Sequence, residues 1–99
     1  MMTTIEYHQK KIDSIDDTLI MLVRERMEHV AAIRGERLAA EAPLVNRERE
    51  RDVYERLWAT NKVPSAYVYL IMSSVIEACK RFATDQHRVE GIRGVSTIS

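Results

Sequence analysis

The run Ile12-Asp13-Ser14-Ile15-Asp16-Asp17-Thr18-Leu19-Ile20-Met21-Leu22, continued by Val30 and Ile33, decides the fold. Residues 12, 15, 19, 22, 30 and 33 keep the three- and four-residue spacing of one helical face, while Asp13, Asp16, Asp17, Arg24, Glu25 and Glu28 fall mainly on the other. Upstream, Thr3 and Glu6 have the spacing of a capping box, so a helix is predicted from Thr4 to Leu38. Gly35 is its weak position, costing about 1 kcal/mol against alanine. Downstream, Ala42-Pro43-Leu44 breaks the pattern, and Asn46 is a natural N-cap for a second helix ending near Thr60. Asn61-Lys62-Val63-Pro64-Ser65 is another break. A third helix is predicted from Ser65 to Asp85, with Val68, Met72, Val75, Cys79 and Phe82 on one stripe. The expected fold class is all-α, three helices per chain, in one helical domain over residues 1–88. Residues 89–99, with Gly91 and Gly94, read as a flexible C-terminal tail.

Composition narrows the function classes. The 99 residues hold 15 Lys+Arg and 15 Asp+Glu, so the basic excess of a nucleic-acid binder is missing. One cysteine excludes a disulfide framework and a multi-cysteine zinc site, and His8, His29 and His87 have no ligand spacing. No metal is expected. Three glycines and two prolines are too few for the turns of an all-β chain. The first residues form no apolar h-region, and no run of about 18 apolar residues occurs, so neither signal peptide nor membrane partner is expected. A cytoplasmic location follows as the expectation.

The first helix bears on assembly. It would be about 50 Å long, whereas a compact domain of this size has a radius of gyration of about 13 Å. Its apolar stripe would overhang the domain, and pairing with a second copy is the simplest cover, so a homodimer is expected. A hairpin folding back at Gly35 is the alternative.

Two positions of that stripe carry arginine. Arg26 and Arg37 continue the three-four series and lie eleven residues apart, close to three turns, about 16 Å along the axis. Arg49 shares a face of the second helix with Val53 and Leu57. Three guanidinium groups are thus expected to point inward, and a buried cation needs an anion. Either protein carboxylates such as Glu50 satisfy them, or they form a pocket for a ligand with more than one carboxylate, which guanidinium forks bind in bidentate fashion. Spacing leaves both open. Cys79, with no histidine on its face, reads as a small core residue rather than a nucleophile. Tyr54 and Trp58 read as core cover, and the Arg47–Asp52 charge run as a solvated face apart from Arg49 and Glu50.

Ile12-Asp13-Ser14-Ile15-Asp16, Leu22, Glu25-Arg26-Met27, Arg37, Arg49-Glu50-Arg51-Asp52, Glu55-Arg56-Leu57 and Ile76-Glu77 keep the order and spacing of the all-helical chorismate mutases, which the chain resembles from about Tyr7 to Phe82. The resemblance implies an intertwined dimer of three-helix chains. It also implies the rearrangement of chorismate to prephenate, a step in aromatic amino acid biosynthesis, with a small dianion as ligand and no cofactor. Such a reaction needs positioning and electrostatic stabilisation of an ether oxygen. On matching positions, Arg26 and Arg49 would hold carboxylates. Arg37, where a lysine is usual, would hold a carboxylate and the ether oxygen. Glu50 would accept the substrate hydroxyl, and Ile33 and Ile76 would line the apolar wall.

The departures concern the remaining expected substrate-binding positions. Gln9 replaces an arginine that reaches the partner's site, Asn46 an aspartate, Cys79 a small hydroxyl residue, and Ala83 a donor to the ether oxygen. Losing one such donor costs about 3–4 kcal/mol, so a slow enzyme, or one that an activating partner enzyme reshapes, is also compatible with the resemblance. Isochorismate-pyruvate lyase and 4-amino-4-deoxychorismate mutase use the same scaffold and stand as alternatives. A non-catalytic helical dimer is a further one; it predicts that Arg26, Arg37 and Arg49 close into internal ion pairs and leave no cavity.

Overall fold

In a computed structural model, which describes the backbone of residues 1–98 and the side chains of residues 1–87, the chain forms three helices. They are α1 (Thr4–Ala39), α2 (Arg47–Thr60) and α3 (Ser65–Ile98). No strand occurs among the described residues, and no helix there is long and apolar enough to cross a membrane.

Each boundary has a local cause. Thr3 is extended, and its hydroxyl accepts from the Glu6 N–H at 3.1 Å, satisfying one of the free donors at the start of α1. The helix ends in a Schellman arrangement, with the Ala42 N–H donating to the Arg37 carbonyl at 2.8 Å and the Glu41 N–H to the Leu38 carbonyl at 3.2 Å. Glu41 takes φ 54°, the left-handed conformation in which glycine is usual at this position. Glu41→Gly is therefore expected to raise stability by about 1 kcal/mol, read from a denaturant midpoint; an unchanged or lower midpoint would contradict that strain. Pro43 then prevents continuation. Asn46 caps α2 as its spacing predicts, its side-chain oxygen accepting from the Arg49 N–H at 3.0 Å. Glu48 and Glu50 in the first turn add favourable interaction with the helix dipole.

Two features of α3 differ from the sequence expectation. α3 runs on to Ile98, past the expected end at Asp85, because two glycines lower helix propensity without a proline to stop propagation. The buried stripe of α3 is also rotated. Val68, Ile76, Cys79 and Ala83 are buried, whereas Met72, Val75 and Phe82 are only half-buried. With Val53 of α2 these four make the core.

Gly35 does not turn the chain. α1 runs through it, and the missing side chain lets α3 approach: a Cβ there would lie 3.2 Å from the His87 ring, whose Nε2 is 3.0 Å from the Ala31 carbonyl oxygen. α3 thereby packs on the second half of α1, and α2 packs on α3.

The first half of α1 is left without cover. No residue of α1 is buried, and Ile12, Ile15, Leu19 and Leu22 are 53, 63, 49 and 53 % exposed. The chain measures 62 × 34 × 15 Å with a radius of gyration of 18.2 Å. A thickness of 15 Å is little more than one helix with its side chains, about 10–12 Å. Helices in so thin a layer have nothing above or below to bury a second face.

Candidate functional site

The second half of α1, the start of α2 and the middle of α3 enclose a cavity of about 280 Å³. That is close to the lower end for small-molecule sites, about 300 Å³. α1 contributes Arg26, Ile33, Arg34 and Arg37; α2 contributes Arg49, Glu50 and Val53; α3 contributes Ile76, Lys80 and Ala83. Leu44 and Asn46 close one end from the α1–α2 connection.

Eight of the ten residues singled out in the sequence meet here: Arg26, Ile33, Arg37, Asn46, Arg49, Glu50, Ile76 and Ala83. Cys79 and Gln9 do not. Cys79 is 1 % exposed and lies in the core behind the cavity wall, because the rotation of α3 turns Ile76, Lys80 and Ala83 to the front. Gln9 is exposed on α1, seventeen residues before Arg26, about 26 Å along the helix. Within one chain it cannot reach the cavity.

The arginines are less buried than their place in the stripe implies. Arg26 and Arg37 are half-buried and Arg49 is exposed. They border a cavity rather than a closed core, so water still solvates part of each guanidinium. Arg37 is oriented by the turn that ends its helix: its Nη1 donates to the Leu44 carbonyl at 3.2 Å, tying the connection across the mouth. Among the described residues, no internal ion pair satisfies these groups. Among the described residues, the three ion pairs are Arg24–Glu28, Lys80–Glu50 and Arg81–Glu77, none of which involves Arg26, Arg34, Arg37 or Arg49.

Glu50, expected as an acceptor for an arginine or a ligand, instead pairs with Lys80 across the α2–α3 contact, Nζ to Oε1 2.5 Å. Lys80 and Arg34 were not singled out by the sequence. Arg34 falls one residue past the apolar stripe, and its Nε is buried without a hydrogen-bond acceptor. A buried unsatisfied donor of this kind costs about 1–3 kcal/mol, a cost that an anion in the cavity would relieve. Lys80 sits between the buried Ile76 and Ala83, and a lysine at that register was the available signal.

Tyr54 stands beside the Glu50–Lys80 pair and stacks on Trp58 and Tyr69, with ring centroids 6.1 and 5.5 Å apart. Burial raises the pKa of its hydroxyl above the usual tyrosine value, Tyr69 and Glu50 add to the rise, and Lys80 and Arg26 oppose it. Tyr54 is accordingly a neutral phenol at physiological pH and contributes no anion to the arginines.

Among the described residues, the arrangement is a small cationic cavity with an apolar wall, one carboxylate and no hydroxyl or thiol nucleophile. It can hold a compact polyanion and act on it by orientation and charge alone. In comparisons with known proteins, residues 8–84 match the family described as chorismate mutase type II. No curated protein and no solved structure matches the chain.

Proposed function

The chain belongs to the chorismate mutase type II family, and from that premise we propose that it rearranges chorismate to prephenate in the cavity between α1, α2 and α3. The observation that carries this is the set of arginine guanidinium groups around one cavity, with none of the carboxylates among the described residues paired to them. A non-catalytic dimer would have closed those charges on its own acids.

In the reaction the C–O bond of the enolpyruvyl ether breaks while the enol carbon bonds to the ring. The ether oxygen becomes a ketone oxygen, and no proton or electron leaves the substrate. The protein therefore has two tasks: to select the compact conformer and to stabilise charge on the ether oxygen. Arg26 and Arg49 hold the two carboxylates, and Arg37 braces a carboxylate beside the mouth. Glu50 accepts the substrate hydroxyl with the oxygen that Lys80 does not occupy. Ile33 and Ile76 form the apolar wall against which the ring packs.

Asn46 bears on which substrate fits. Its side-chain oxygen is committed to capping α2, which leaves only the amide N–H groups for a ligand. A hydroxyl can accept from them; a protonated amine cannot. This favours chorismate over a 4-amino-4-deoxy analogue. Incubation with chorismate, isochorismate and 4-amino-4-deoxychorismate, with products separated by chromatography, tests the assignment. Prephenate from chorismate is expected. Pyruvate from isochorismate as the main product would replace the mutase reading with a lyase, and no turnover above the buffer rate would end the enzyme reading for the isolated chain.

We also place a second copy of the chain against the bare half of α1. The support is the exposed stripe Ile12, Ile15, Leu19 and Leu22 and the one-helix thickness of the monomer. A dimer would bury that stripe, and Gln9 could then approach the partner's cavity rather than its own.

A further inference from the structure

Lys80 is an odd residue for its position. On α3 it is flanked on the core side by Ile76, Cys79 and Ala83, all 9 % exposed or less. Its ammonium reaches the cavity that these residues back and meets Glu50 there. The side chains of the pair are 45 and 31 % exposed, and partly solvated pairs contribute about 1 kcal/mol or less to stability. Stability alone is thus a weak reason for a lysine in an apolar stripe.

The geometry of the pair matches the substrate proposed above. In chorismate the hydroxyl and the ether oxygen sit on adjacent ring carbons. Glu50 and Lys80 are likewise adjacent, and they offer an acceptor beside a donor. With Glu50 taking the hydroxyl, the neighbouring oxygen falls to the ammonium, which keeps two further N–H donors after pairing with Oε1. The chemistry of the cations agrees. Planar guanidinium forks suit carboxylates, and a compact ammonium suits a single oxygen on which charge grows. Ala83, one turn further along α3, carries no donor that could compete for that oxygen.

We propose that Lys80, held by Glu50, is a catalytic residue of this site and donates to the ether oxygen as its bond to the ring breaks. The proposal rests on the mutase reading, and it puts a second cation of the chain's own, besides Arg37, where transition-state charge develops. The C–O bond breaks heterolytically enough to leave partial negative charge on oxygen; Lys80 lends a hydrogen bond and keeps its proton.

Two tests together decide it. In the protein as purified, Lys80→Gln is expected to lower kcat about 100-fold with KM changed less than threefold, and Lys80→Arg to restore at least a tenth of the activity. A rise in KM with kcat intact would move Lys80 from the ether oxygen to ground-state binding and overturn the proposal, as would unchanged kinetics. The second test needs no turnover. Calorimetry compares two bicyclic dicarboxylates of the same shape, one bridged by an ether oxygen and one by a methylene. Lys80→Gln should weaken the ether compound about tenfold and leave the methylene compound unchanged, while Arg26→Ala weakens both. If Arg26→Ala weakens both compounds and Lys80→Gln neither, or both equally, Lys80 is not the ether-oxygen donor and the mutase reading stands. If wild-type protein binds neither compound, the mutase reading and the proposal fall together. Circular dichroism of Lys80→Gln and Lys80→Arg checks that both fold; a fold lost in Lys80→Gln alone leaves Lys80→Arg and the binding of the two probes by wild type to decide.

Discussion

Arg37→Ala is expected to lower kcat/KM by about 10³ while the protein melts within a few degrees of wild type. Arg37 closes α1, and its position is set by backbone bonds that the substitution leaves in place, the Ala42 N–H donating to its carbonyl at 2.8 Å. The side chain is outside the core, and its one hydrogen bond, to the Leu44 carbonyl, contributes about 1 kcal/mol. Function is another matter. A fixed cation at the rim of a small cavity needs no reorganisation when charge develops, and removing one such group costs about 3–4 kcal/mol of transition-state stabilisation. Arg37→Lys should fall between the two, since it keeps the charge and loses the second fork of the guanidinium. Steady-state kinetics with a thermal melt of each variant provides the measurement. Full activity in Arg37→Ala would mean that the cavity between the three helices is not where the chemistry occurs.

Ile15→Glu combined with Leu22→Glu should convert the proposed dimer to a monomer and abolish turnover. Both residues lie on the uncovered half of α1, at 63 and 53 % exposure. Completing the burial of such a half-exposed side chain contributes about 1 kcal/mol, and a stripe of four or five of them several. Two carboxylates in the same stripe would instead have to be desolvated at a cost of several kcal/mol each, which the remaining contacts could not offset. Light scattering should find twice the 11.5 kDa chain mass for wild type and a single chain mass for the double variant. A wild-type protein of one chain mass would remove the basis for a second copy. The effect would extend to activity because the same helix that carries the stripe carries Arg26, Ile33 and Arg37 further along.

Much of this molecule is local in origin. Thr3, Asn46 and Pro43 announce the helix boundaries by the hydrogen bonds they can or cannot make, and they act within four residues of themselves. The same holds for Arg26 and Arg37, whose common direction follows from helical pitch and needs no knowledge of what packs opposite. Eight residues chosen on such grounds, and on family resemblance, line a single cavity. The failures have the opposite character. Cys79 and Lys80 are adjacent, about 100° apart around the helix, and which one faces the cavity depends on the rotation of α3 about its own axis. Periodicity centred the stripe on Val75, Cys79 and Phe82; packing against α1 and α2 centred it on Ile76, Cys79 and Ala83. Glu50 could be matched to an arginine or to a ligand by spacing, but its actual partner comes from a helix thirty residues away.

The sequence by itself determined three helices, the bounds of the first two, and the concentration of arginine on their facing sides, because hydrogen-bond capping and side-chain period are properties of neighbouring residues. Only the tertiary structure decided that those arginines surround a cavity instead of closing on carboxylates, and that Lys80 and Arg34 join them. Charges pair with whatever lies within a few ångströms, and which groups come that close depends on how the helices pack.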